Sequence, residues 1–215
     1  ADSADSASRL AGSSAPPPVL PTLPALPAGE APGGSAVGLP AAVLPAVLPA
    51  ALPSGAASAA LLYSRHHARP GRQMKLNTIK GNEVDNILNG GSGDDSLKGG
   101  DGDDIYYVDS KDDRVTEKSG EGIDLIYSSV TYTASSYVED LYLTGTSNIN
   151  GSGNSLDNTL LGNSGDNKLY GKDGDDIFYG GAGKDRIYGW KGEDTIWGGA
   201  GDHYLKGHYS KDKLY

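Results

Sequence analysis

From Gly153 to Tyr215 the chain repeats every nine residues without a gap, in units that start at 153, 162, 171, 180, 189, 198 and 207. The eighth position of these units reads Leu160, Leu169, Phe178, Ile187, Ile196, Leu205 and Leu214. One apolar residue held in phase seven times is the signature of stacked, identical supersecondary units. The sixth position reads Asn158, Asn167, Asp176, Asp185, Asp194, His203 and Asp212. Two earlier copies share the pattern, Gly90–Lys98 and Gly99–Tyr107, and residues 81–89 fit as a degenerate unit with Val84 where glycine is expected. Between the blocks, residues 108–152 leave this phase but keep short β-like runs such as Leu125-Ile126-Tyr127 and Leu141-Tyr142-Leu143. They read as longer, irregular β coils that continue the stack.

Spacing dictates the local structure. Glycines at the first, second and fourth positions permit a tight turn with exposed carbonyls. The residues around the eighth position make a strand about three residues long, with the eighth side chain on one face and the seventh and ninth on the other. So short a strand buries nothing alone, and successive units must coil on each other.

Composition narrows the function. All 12 prolines lie in residues 1–70, and 26 of the 32 glycines lie beyond them. Residues 1–70 carry 3 acidic and 3 basic groups, so the net charge of −10 belongs to the second part. An acidic, glycine-rich surface repels phosphates and anionic membranes and attracts cations. Nucleic acid is therefore not an expected partner. No cysteine is present, which excludes disulfides and thiolate metal sites. No run of apolar residues is long enough for a transmembrane helix. Residues 1–76, with their Leu-Pro units and Ala-Asp-Ser opening, read as a Pro/Ala-rich linker or processing segment lacking fixed structure. Helix is an option there only over Ala56–Tyr63, where alanine is dense and proline absent.

The Gly-Gly-x-Gly-x-Asp-x-apolar-x units resemble the RTX (hemolysin-type) calcium-binding nonapeptide repeats of secreted bacterial proteins. The resemblance covers residues 77–215, and the linking segment Asp109–Asn150 is similar to spacers between such repeat blocks. It implies an all-β fold, a right-handed parallel β-roll or β-solenoid, with two units per turn and Ca2+ held between equivalent loops of adjacent turns. One side then carries Asn158, Asp176, Asp194 and Asp212, and the other carries Asn167, Asp185 and His203. In the first block Asn86 and Asp104 share a side while Asp95 lies opposite. Asp124 joins the candidates through its Gly-x-Asp-x-apolar setting. Asparagine supplies an amide oxygen in place of a charge and is expected to bind more weakly. His203 offers no oxygen, so the Asp185–His203 site is expected to be lost or altered. The other turn carboxylates, such as Asp94 and Asp103, are expected to be solvated.

No zinc-helix, nucleophile-elbow or thiol motif is present, and the acidic residues are too evenly spread to single out a catalytic pair. The chain therefore reads as a non-catalytic, calcium-folded scaffold or export-folding module, secreted or on the bacterial surface. Because it opens without Met and keeps its repeat register to Tyr215, it is expected to be a piece of a longer polypeptide. The alternative is a polysaccharide-binding accessory module of a secreted carbohydrate-active enzyme. That reading rests on ninth-position aromatics, with Tyr179, Trp197 and Tyr215 in one column and Tyr170 and Tyr188 in another, open to a glycan or a protein.

Overall fold

A computed structural model describes residues 60–63 and 76–215; the rest of the Pro/Ala-rich segment expected over 1–76 lies outside these residues. Among the described residues there are seventeen strands, numbered along the chain, and no helix. Odd-numbered strands form a nine-stranded sheet: β1 (Ala60–Tyr63), β3 (Asn86–Asn89), β5 (Ile105–Val108), β7 (Leu125–Ser128), β9 (Asp140–Leu143), β11 (Thr159–Leu161), β13 (Ile177–Ala182), β15 (Thr195–Ala200) and β17 (Lys213–Leu214). Even-numbered strands form two sheets. The first holds β2 (Thr78–Lys80), β4 (Ser96–Lys98) and β6 (Arg114–Thr116). The second holds β8 (Tyr132–Thr133), β10 (Gly151–Ser152), β12 (Lys168–Asp173), β14 (Arg186–Lys191) and β16 (Tyr204–His208).

Neighbouring strands pair in parallel, and the register advances by one full coil: Leu160 lies opposite Phe178, Phe178 opposite Ile196, and Ile196 opposite Leu214. Eighteen residues separate each pair, so two nonapeptides make one coil of a parallel β-solenoid. The chain alternates between the two faces at every turn.

Alternation within each strand decides the core. In β15 Ile196 is fully buried while Thr195 and Trp197 on either side are only partly covered. One file of eighth-position side chains, including Leu160, Phe178 and Ile196, faces another that includes Leu169, Ile187 and Leu205. A second cluster built the same way runs from Leu88 and Leu97 to Leu141. The interior is therefore one apolar side chain deep from each face.

Two segments differ from the sequence-based expectation. Ala60–Tyr63, where helix was the regular option, is a strand in parallel register with Asn86–Asn89. An unpaired sheet edge offers backbone hydrogen bonds that a short alanine-leucine helix would forgo. The nonapeptide phase also runs one unit further than the glycines suggest. Asp113 and Val115 occupy sixth and eighth positions of a unit over 108–116, and Val115 pairs with Leu97. This turn lacks the glycine signature, and its backbone is held instead by Asp113 Oδ2, which accepts the N–H groups of Asp109 and Ser110 at 3.1 and 3.0 Å.

Candidate metal centre

The turns place the sixth-position side chains in two ladders. Asp176 is fully buried, and its Oδ1 accepts the backbone N–H of Asn158, one coil earlier, at 2.8 Å. Its own N–H donates to Oδ1 of Asp194 at 2.9 Å, and the N–H of Asp194 donates to Oδ1 of the half-buried Asp212 at 3.0 Å. In the first block Asp104 Oδ1 accepts from Asn86, and Asp124 Oδ1 accepts from Asp104. On the other side Asp95 accepts from Asn77, and Asp185 accepts from Asn167. The expected stacking of Asn158, Asp176, Asp194 and Asp212, and of Asn167, Asp185 and His203, is thus present.

One carboxylate oxygen is spent in each rung. The other, Oδ2, is buried without a hydrogen-bond partner in Asp95, Asp104, Asp124, Asp176, Asp185 and Asp194. Native proteins leave few buried polar atoms unsatisfied, and a bare anionic oxygen is the costliest kind. In all of these but Asp124 the oxygen lies against the first glycine of its own unit. A methyl group at Gly171 or Gly189 would overlap Oδ2 of Asp176 or Asp194, and the carbonyl of Gly189 passes beside Gly171. Positive φ at Gly181 (98°) and Gly183 (110°) shows the backbone conformation that folds these turns tightly. The donor set is hard: carboxylate and backbone carbonyl oxygens in turns of adjustable geometry, which suits calcium.

Burial raises five of these carboxyls well above their ordinary range, and neighbouring carboxylates add to the shift. Asp176 and Asp124 are pushed up to about 8, Asp104 and Asp194 to about 7, and Asp185 to about 6. For Asp176 the charges next to it are Asp194, Asp157 and Asp175. A divalent ion would supply the missing opposite charge.

The asparagines behave differently. Asn158 Nδ2 donates to the carbonyls of Val138 and Glu139, each at 3.0 Å, while its Oδ1 accepts the N–H of Asn154 at 2.7 Å. Asn167 Nδ2 donates to the carbonyl of Ile149 at 2.7 Å, and its Oδ1 accepts the N–H of Asn163. Asn86 bonds Asn82 with both ends of its amide. An amide N–H thus reaches oxygen acceptors where an aspartate would turn an anionic oxygen, and these three positions close their turns with protein groups. Asn154 and Asn163 extend the pattern, each giving two hydrogen bonds to carbonyls of the preceding coil.

His203 is a second kind of substitute. Its Nδ1 accepts the N–H of Asp185 at 3.2 Å, the rung that an aspartate Oδ1 makes elsewhere, and lies 3.3 Å from Asp185 Oδ2. The imidazole completes the ladder but brings no oxygen, as expected. Replacing it with aspartate should restore that oxygen: His203→Asp is expected to raise the calcium count by one ion in equilibrium dialysis, and an unchanged count would show that the imidazole costs the chain no ion.

Three acidic residues in these ladders were not singled out by sequence. Asp113 Oδ1 accepts the N–H of Asp95 at 2.8 Å, and Glu139 Oε2 accepts that of Asp124 at 2.8 Å. Both stand two residues before a core residue, Val115 and Leu141, the same spacing as Asp176 before Phe178. Acid-x-apolar, without the glycines, is the signal that finds them. The third, Glu117, occupies the register position of Gly99 and escapes any repeat search; its Oε1 accepts the Gly99 N–H at 2.9 Å.

Second-position residues carry strain. Lys172, Trp190 and His208 hold positive φ values of 94°, 82° and 96° where other units have glycine. They stand in register, Lys172 opposite Trp190 and Trp190 opposite His208, whose rings stack with centroids 4.7 Å apart. Outside the turns, the ninth-position columns are present. Tyr179 and Trp197 stack at 4.9 Å and 5°, Trp197 and Tyr215 at 5.3 Å and 11°, and Tyr170 and Tyr188 at 5.2 Å and 6°.

No catalytic constellation occurs among the described residues; the one cluster of three or more potential metal ligands is Asp104, Glu117 and Asp124. No helix there is long and apolar enough to cross a membrane. Searches of curated proteins and of solved structures gave no match. The family model of the RTX calcium-binding nonapeptide repeat (4 copies) matches residues 80–115, 152–185 and 170–202. These segments contain the first glycine-rich block, the second block as far as residue 202, and five of the six aspartates with an orphan oxygen. Residues 80–115 and 152–202 of this chain thus carry the RTX calcium-binding nonapeptide repeat.

Proposed function

We propose that residues 77–215 act as a scaffold that calcium folds outside the cell, reached through an unfolded, secreted chain, with residues 1–76 as linker. The observation that carries this reading is the set of six buried aspartates whose Oδ2 has no partner. Loops of this composition suit affinities of about 10⁻⁴–10⁻³ M, the range of extracellular modules, so the chain stays open where calcium is scarce. The coil is taken as right-handed, the hand that parallel strand crossovers adopt almost without exception. Calcium belongs to Asp95, Asp104, Asp124, Asp176, Asp185 and Asp194, with Asp212 completing the last rung. Asn86, Asn158 and Asn167 are placed outside the ligand set because their amides are already engaged.

Counting ions tests this. Asp176→Asn with Asp194→Asn is expected to lower the calcium stoichiometry measured by isothermal titration and to shift the folding midpoint to higher calcium. Equal stoichiometry in the double variant and the parent would defeat the assignment.

The polysaccharide alternative gains less support. A sugar ring needs an open aromatic face, and Tyr179, Trp197 and Tyr215 cover one another nearly face to face. These columns are assigned to stiffening the roll.

A further inference from the structure

Asp104, Glu117 and Asp124 stand apart from every other turn. In the repeats the first position is glycine because a side chain there would overlap the aspartate Oδ2; at Gly99 a methyl group would overlap Asp104 Oδ2 and the Tyr106 hydroxyl. One coil later that position holds Glu117, with Lys98 paired to Thr116 immediately before it. The turn that follows is longer. Asp124 lies seven residues after Glu117, whereas Asp104 lies five after Gly99. The two extra residues make room for a side chain that the nine-residue turn has no space to admit, so the insertion and the glutamate form one device.

The glutamate points inward. Tyr106, itself fully buried, donates its hydroxyl to Glu117 Oε1. Oε2 of Glu117 and the Oδ2 atoms of Asp104 and Asp124 are all buried without a partner, and the three residues are 6%, 0% and 1% exposed. Ligand oxygens from the three lie within 4.8 Å of one another. Oxygens this close can share one ion at the calcium–oxygen distance of about 2.3–2.6 Å. Lys118, next along the chain, is paired with Glu121.

We propose that Asp104, Glu117 and Asp124 form a tri-carboxylate calcium site of higher affinity than the repeat loops, filled first and locking the irregular middle coils onto the first block. It rests on the reading that the orphan aspartate oxygens bind calcium, and it adds a site type that the nonapeptide pattern does not contain. A repeat loop offers fewer carboxylates to one ion; here three converge, and ligand charge is what tunes calcium affinity.

Terbium is the probe, because buried Tyr106 touches the site and tyrosine excitation sensitises bound terbium. In the full chain the first equivalent of terbium is expected to give the brightest tyrosine-excited emission. Glu117→Gln is expected to weaken that first step by about tenfold or more and to lower the calcium count by one ion. Tyr106→Phe is expected to dim the first step while leaving the count intact. Asp176→Asn is expected to spare the first step and remove a weaker one. An unchanged first step in both Glu117→Gln and Tyr106→Phe overturns the tri-carboxylate site alone. Failure of the parent chain to bind terbium or calcium at all overturns the loop reading with it. Should Glu117→Gln fail to fold at high calcium, Tyr106→Phe decides by its first-step emission.

Discussion

Chelating calcium at about pH 7.5 is expected to remove most of the β circular-dichroism signal of this chain, and millimolar calcium is expected to restore it. The cause lies in the balance between a thin core and many bare oxygens. Each strand from β11 to β16 contributes one buried apolar side chain, as Ile187 and Ile196 do in β14 and β15. Against that stand six buried aspartate oxygens without partners. An unsatisfied buried polar group costs about 1–3 kcal/mol, and more when charged. Six of them reach the order of a whole domain's stability, about 5–15 kcal/mol. Ions that bind only the folded coils reverse the balance by mass action. A titration followed at the β band is expected to have its midpoint near 10⁻⁴–10⁻³ M calcium. An equally strong band and equal melting temperature in chelator would show that the coils hold without metal.

Acid is expected to substitute for calcium. In the metal-free fold Asp124 and Asp176 are pushed up to about 8, Asp104, Asp194 and Glu117 to about 7, and Asp185 to about 6, all by burial first. In the unfolded chain the same groups titrate near 4. Near pH 4 and below, both states hold the protons and the fold keeps their full benefit. Between about pH 4 and 8 the folded chain binds more protons than the unfolded one, so stability falls as pH rises, by up to about 1.4 kcal/mol per pH unit for each group. The loss is complete once pH passes the folded values. Thermal melts in chelator should therefore give a higher melting temperature at pH 5 than at pH 7.5. In saturating calcium the order should invert, because protons then compete with the ion. A melting temperature in chelator that is flat or rises with pH would contradict the burial of these carboxyls.

How far the sequence could be read depends on which atoms do the work. Where backbone conformation and apolar phase act together, from Gly153 to Tyr215, the period yields the strand positions, and the resemblance to the calcium-binding repeats adds the two-unit coil and the partners of each ladder rung. The unit over 108–116 is hidden because Asp113 closes its turn by side-chain hydrogen bonds, so no glycine marks it. Glu139 is hidden for a related reason: a longer side chain reaches the same rung from a turn of different length. Asparagine at the sixth position looks like a weak ligand in sequence. Only the carbonyls within reach of its Nδ2, Val138 and Glu139 for Asn158, show that its amide is already engaged. Ala60–Tyr63 was unreadable because its pairing partner is a sheet edge over twenty residues away.

The stacked rings also give the molecule a built-in optical reporter. Both tryptophans of the chain, Trp190 and Trp197, belong to the single unit 189–197 that also contains Asp194. Trp197 is sandwiched between two tyrosines on one face, and Trp190 lies on the His208 imidazole on the other. Tryptophan emission therefore watches one loop near the C-terminal end and is blind to the first block, with a quenchable indole on one face and a shielded one on the other.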